Sequence, residues 1–202
     1  MNILQILAIC GMLAPIIYTV MWILGGIMLD EYSHIRDDVS SLYAVGAPKR
    51  WLFQILMILS SVLLLAFSIG LHWGINNGEG SIIGPILFII SAFLGVIVAS
   101  FFPLDEGGEL VTLRGKMHLI LIVLSGIICI ASMVILWLLT KSLEGWIGFA
   151  WFSFASAIVA LILVAISGIF AGGEHMGLVE RFMVSYYQIY YFVISLMMFI
   201  NN

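Results

Sequence analysis

Three histidines, His34, His118 and His175, lie in or beside the stretches that carry almost all of this chain's charge, with Asp37, Asp38, Asp105, Glu174 and Glu180 close by in sequence. Three such ligands around an open position would suit zinc, whose bound water becomes acidic enough to attack an ester or amide. His34, His118, His175 and Asp105 are the candidate ligands. As catalytic groups the candidates are His118, Asp105 and Ser41, with Ser40 or Ser41 as oxyanion donor. No His-x-x-x-His pair occurs, so a metal site would depend wholly on tertiary convergence, and no cofactor is the favoured expectation.

A second chemistry is anion recognition. Lys49/Arg50, Arg114/Lys116 and Arg181 stand where the second, fourth and sixth apolar stretches begin. A helix start presents unpaired N–H groups and a positive dipole end, so added cations there ask for a partner, either a loop carboxylate or a lipid phosphate. Polar residues inside these stretches recur at steps of three and four, which confines them to one helical face. The rows are Gln54, Ser61, Ser68 and His72, then His118, Ser125, Cys129 and Ser132, then Arg181, Ser185, Gln188 and Ser195. Serines also serve close helix packing. Gln54, Gln188, His118 and Arg181 are costlier in hydrocarbon and argue for a wet pocket. Arg181, Glu180, Arg114, Lys116, Gln54 and Gln188 are therefore the candidate ligand-binding residues.

The elements that must position these groups are membrane spans. At 63% hydrophobic and 9% charged, with a mean hydropathy of +1.22, the chain departs far from soluble proteins, which are about 25% charged. Apolar runs predict helices near 3–29, 50–75, 82–103, 116–139, 146–171 and 181–200, each long enough to cross roughly 30 Å of hydrocarbon. The 202 residues are thus expected to form one all-α domain, 1–202, a polytopic bundle of six transmembrane helices made of three hairpins. The first span, with no basic residue before it, is expected to remain as an anchor. Cys10 and Cys129 lie inside spans and form no disulfide framework.

Six of the seven Lys and Arg residues and nine of the eleven Asp and Glu residues fall in or beside loops 30–49, 104–115 and 172–180. The opposite loops carry only Glu79, Lys141 and Glu144. The positive-inside rule makes the charged face cytoplasmic and both termini external; the abundant acids on that face keep the inverted topology as the alternative. A net charge of −4 without a basic block excludes nucleic acid as a partner.

Ser-Leu-Tyr-Ala-Val-Gly-Ala-Pro at 41–48, Phe-Pro-Leu-Asp at 102–105 followed by His118, and Gly177 with Glu180-Arg181 resemble the membrane family called domain of unknown function 998. The resemblance spans the whole chain. It implies a six-helix membrane domain of archaea and bacteria, and it marks Ser41, Asp105, His118, Glu180 and Arg181; no reaction comes with it. A weaker similarity, to intramembrane hydrolases of the alkaline ceramidase type, rests on Ser, Asp and His at one membrane face. Those have seven helices and a late His-x-x-x-His, and this chain has neither.

The expected function is binding of a lipid or other amphiphile in a polar pocket on the charged face, in a multi-pass protein of the cell membrane. A zinc-dependent hydrolase or transferase is the alternative from the enzyme class. A structural or accessory subunit, in a homo-oligomer or larger membrane complex, is the third reading. Composition does not decide between enzyme and binding protein.

Overall fold

The computed structural model describes residues 1–202 and is all-helical, with six long helices, α1 (Ile3–Met28), α2 (Arg50–Gly74), α3 (Ile83–Phe101), α4 (Leu113–Thr140), α5 (Ile147–Phe170) and α6 (Met176–Ile200). Each is long and apolar enough to cross a membrane. The helices succeed one another around a ring, α6 closing back on α1, and α2 touches α6 across the middle. Exposed Ile, Leu, Val and Phe side chains cover the outer surface along every helix, the arrangement a hydrocarbon solvent requires. The chain is a multi-pass membrane protein.

Two helix starts differ from expectation. Helix α4 begins at Leu113 and α6 at Met176, so Arg114 and Glu180 lie within helical turns, where the expected starts are 116 and 181. Charges in a first turn read as loop when hydropathy alone sets the boundary. The Thr112 hydroxyl accepts from the Gly115 N–H at 3.3 Å and caps α4.

Part of the polar rows, with further serines outside them, is spent on neighbouring helices. Gln54 Nε2 donates to the Ala99 carbonyl at 2.9 Å, Ser60 to Ala14 at 2.8 Å and Ser132 to Gly84 at 2.8 Å. Ser91 and Ser125 bond each other's hydroxyls and carbonyls at 3.0 Å. Ser153 reaches the Met133 carbonyl at 2.9 Å and the Tyr190 hydroxyl at 2.8 Å, tying α4, α5 and α6 together. Between these staples the axis is filled by Phe67, Phe88, Met133, Phe149, Tyr190, Ile194 and Met198. A separate core of Tyr18, Met21, Val39, Leu42, Tyr43 and Phe53 plugs the charged end.

The sparsely charged end is latched by asparagines. Asn2 and Gln5 form a reciprocal capping box at the start of α1. Asn2 Nδ2 donates to the Asn202 carbonyl at 2.9 Å, and Asn202 Nδ2 donates to Gly74 at 3.0 Å.

Ser153→Ala leaves the buried Tyr190 hydroxyl without its partner and is expected to destabilise the detergent-solubilised protein by about 1–3 kcal/mol. Ser153→Ala combined with Tyr190→Phe should recover part of that loss. A double-mutant cycle on thermal unfolding reads both.

Candidate functional site

The charged face is organised around Arg181, which is only 6% exposed. Its Nη1 donates to the carbonyls of His34, Asp37 and Gly177, each at 2.8 Å, and its Nη2 donates to the Tyr32 hydroxyl. The guanidinium carbon lies 5.3 Å from the Tyr32 ring centre and 5.7 Å from that of Trp22, so two aromatic faces add to the carbonyl dipoles. Nε is buried without a partner. A planar fork can serve this many acceptors at fixed angles, whereas an ammonium offers three donors from one compact centre.

Loop 29–49 is the acceptor for this grip. Leu178 N–H donates to the Ile35 carbonyl at 2.9 Å, and Val39 N–H donates to Glu180 Oε2 at 2.8 Å. Glycine at 177 makes the approach possible, because a Cβ there would run into the Asp37 carbonyl. Asp38 turns inward and takes the Ser41 N–H at 2.7 Å; burial pushes its carboxyl above the usual range, against the pull of that bond and of Arg181. Asp37 is held low, its burial outweighed by Arg36 and the Ser33 N–H.

Loops 29–49 and 102–112 join through Val45 N–H and the Leu104 carbonyl at 3.0 Å. Asp105 accepts from the Thr112 hydroxyl and N–H, both at 2.7 Å, and from Arg114 Nη2 at 2.8 Å. Those donors hold its carboxyl down to about 2. Asp105 is thereby the anchor of the α4 N-terminus, where a negative charge also suits the dipole.

His118 stands in the second turn of α4 and is 4% exposed. Its Nδ1 lies 2.6 Å from the Phe102 carbonyl and its Nε2 lies 3.1 Å from Ser40 Oγ. Ser41 points the other way, its hydroxyl donating to the Asp38 carbonyl at 2.7 Å. Sequence reasoning marked Ser41, and the single turn of 3-10 helix over Ser40–Tyr43 presents its neighbour to the histidine. Adjacent serines carry no sequence signal that separates them.

The four possible zinc ligands are kept apart. His34 packs edge-on against Trp22 and Tyr32 at 5.4 and 5.5 Å, His175 is exposed ahead of α6, and no three His, Cys, Asp or Glu residues gather as a metal-holding group. Lys116 is exposed. Gln54 bonds α3 and leaves its Oε1 buried without a donor.

Gln188 lies elsewhere, in a groove of about 440 Å³ between α1 and α6, lined by Pro15, Ile16, Thr19, Val20, Ser185, Gln188, Ile189 and Phe192. Ile16, Val20 and Ile189 are 48%, 45% and 54% exposed, so the groove opens on the outer surface of the bundle. Thr19, Ser185 and Gln188 lend it side-chain oxygen and nitrogen, and none of the three makes a side-chain hydrogen bond within the chain. Ser185 sits one turn below Arg181. A smaller depression of about 390 Å³ on the charged face is lined by Gly46, Ala47, Lys49, Arg50, Trp51 and Leu52.

Arg181→Lys is expected to release residues 32–40 from α6, because each hydrogen bond to a charged group contributes about 1.5–3 kcal/mol and one ammonium cannot replace the set. Gly177→Ala should act in the same direction through the Asp37 backbone. Hydrogen exchange of the 32–40 amides checks both, with unchanged protection counting against this role for Arg181. Asp105 stabilises the fold above its unfolded pKa of about 3.9, and that contribution is lost as pH falls through about 2. The gap in thermal stability between wild type and Asp105→Asn should therefore narrow across that window.

No curated protein and no solved structure matches this chain. A family model does, over residues 12–197, from the first helix into the last. That span contains Ser40, Asp105, His118, Gly177, Glu180 and Arg181, so the packed charged face and the ring of helices are features of the matched region. The chain belongs to the family described as protein of unknown function, DUF998.

Proposed function

We propose that this protein binds a membrane amphiphile in the groove between α1 and α6, with the apolar portion against Ile16, Val20, Ile189 and Phe192 and a hydrogen-bonding group at Thr19, Ser185 and Gln188. The carrying observation is that three polar side chains stand in the spans, in an open groove, with no partner in the chain. An amide or hydroxyl left unpaired in hydrocarbon costs roughly 2–7 kcal/mol, so the chain gains by holding a molecule that answers them. Pro15 lines the same groove and has no N–H to give the carbonyl of Gly11.

In this reading Arg181 and Glu180 act indirectly. They fix loop 29–49 on the end of α6, one turn above Ser185, and so hold the head of the groove in place. Arg114 and Lys116, outside the groove, remain as cations near the membrane boundary. The six basic residues of this face also argue for a cytoplasmic position, with the termini on the other side.

Native mass spectrometry of gently extracted protein tests the binding. Wild type should carry a retained amphiphile, and Gln188→Leu should lose at least tenfold of its occupancy while keeping its thermal stability. Equal retention in Gln188→Leu removes the groove from the account, and protein that is bare throughout favours a structural subunit. Reporter fusions at residue 202 should be active only in forms that read the external side; activity of a cytoplasm-only reporter reverses the orientation.

A further inference from the structure

We propose that Ser40 and His118 form a nucleophile and general-base pair able to take an acyl group from a membrane-derived ester. The geometry of the imidazole is decisive. A carbonyl can only accept, so the 2.6 Å contact from Nδ1 to the Phe102 oxygen places the ring proton on Nδ1. Nε2 then presents its lone pair to the Ser40 hydroxyl at 3.1 Å, the distance and polarity a base requires to take that proton. In serine hydrolases a carboxylate orients the histidine; here the carbonyl at the end of α3 does so, next to Pro103.

A third group completes the set. The Tyr43 hydroxyl lies 3.5 Å from Ser40 Oγ, and the residue is fully buried. Its O–H is a neutral donor directed at the nucleophile, the kind of group that could face an oxyanion. The pair sits near the starts of α2 and α4, at the end of the spans where acyl ester groups lie in a bilayer. It does not depend on the groove: an amphiphile can be bound there whether or not Ser40 reacts.

In the step, Ser40 Oγ forms a bond to the ester carbonyl carbon as its proton passes to His118 Nε2. The tetrahedral adduct collapses, the bond to the alcohol oxygen breaks, and Nε2 returns the proton to that oxygen. Water then attacks the acyl-Ser40 ester, losing a proton to Nε2, and Ser40 Oγ recovers it as the acid departs. No oxidant, reductant or metal enters the balance.

A fluorophosphonate probe on the intact protein in membranes tests the pair, with the adduct located by peptide mass spectrometry. The expected result is a single adduct on Ser40, absent in Ser40→Ala and retained in Ser41→Ala. His118→Gln keeps an amide that can bond the Phe102 carbonyl but supplies no base, so it should slow labelling about 100-fold at unchanged thermal stability. No adduct on Ser40 in wild type, or labelling of His118→Gln within twofold of wild type, overturns the proposal and leaves the pair as a tie between the loop and α4.

Discussion

The charged face depends on one guanidinium that is buried without an ion pair. Neither of the two salt bridges in the molecule includes Arg181. Its charge is met by three main-chain carbonyls, a phenol and two aromatic rings, all but the Gly177 carbonyl contributed by α1 and the segment after it. Carbonyl dipoles held by a folded loop satisfy a cation without the second desolvation that a carboxylate partner would bring. The arrangement also makes folding of the loop and docking of α6 a single event, since the acceptors exist in that geometry only when residues 32–40 are in place. The rest of loop 29–49 is arranged around this grip: Glu180 reaches the Val39 amide, Asp38 turns under Ser41, and Ser40 meets His118.

Such an arrangement separates two jobs that polar residues in a membrane protein perform. Ser60, Ser91, Ser132 and Ser153 link adjacent helices through backbone carbonyls. Thr19, Ser185 and Gln188 have no such link and lie on the outer flank. The first group is explained by packing alone. The second has no partner within the chain, and the proposed amphiphile would supply one.

The six spans were legible because hydrocarbon leaves helix as the natural way to bury a backbone, and hydropathy reports that directly. The start of α6 is less so, since residues 176–180, Glu180 among them, look like loop until the partners of Gly177 and Glu180 are known. Arg181 reads in sequence as a head-group ligand for the same reason: a cation at a membrane boundary has two outlets, lipid phosphate or carbonyls of its own chain, and only tertiary structure separates them. The α1/α6 seam was hidden further. Hairpin reasoning pairs α1 with α2 and α5 with α6, and ring closure is what brings a lone Thr19 beside Ser185 and Gln188.

The central claim is that the amphiphile occupies the α1/α6 groove, below the loop that Arg181 holds on the charged face. Photo-crosslinking in membranes with a lipid carrying a diazirine on its acyl chain tests this most directly. The account predicts adducts concentrated on Ile16, Val20, Ile189 and Phe192, well above those on the exposed residues of α3, α4 and α5. Adducts spread evenly around the bundle, or gathered on Lys49, Arg50 and Trp51 at the charged face, would contradict it.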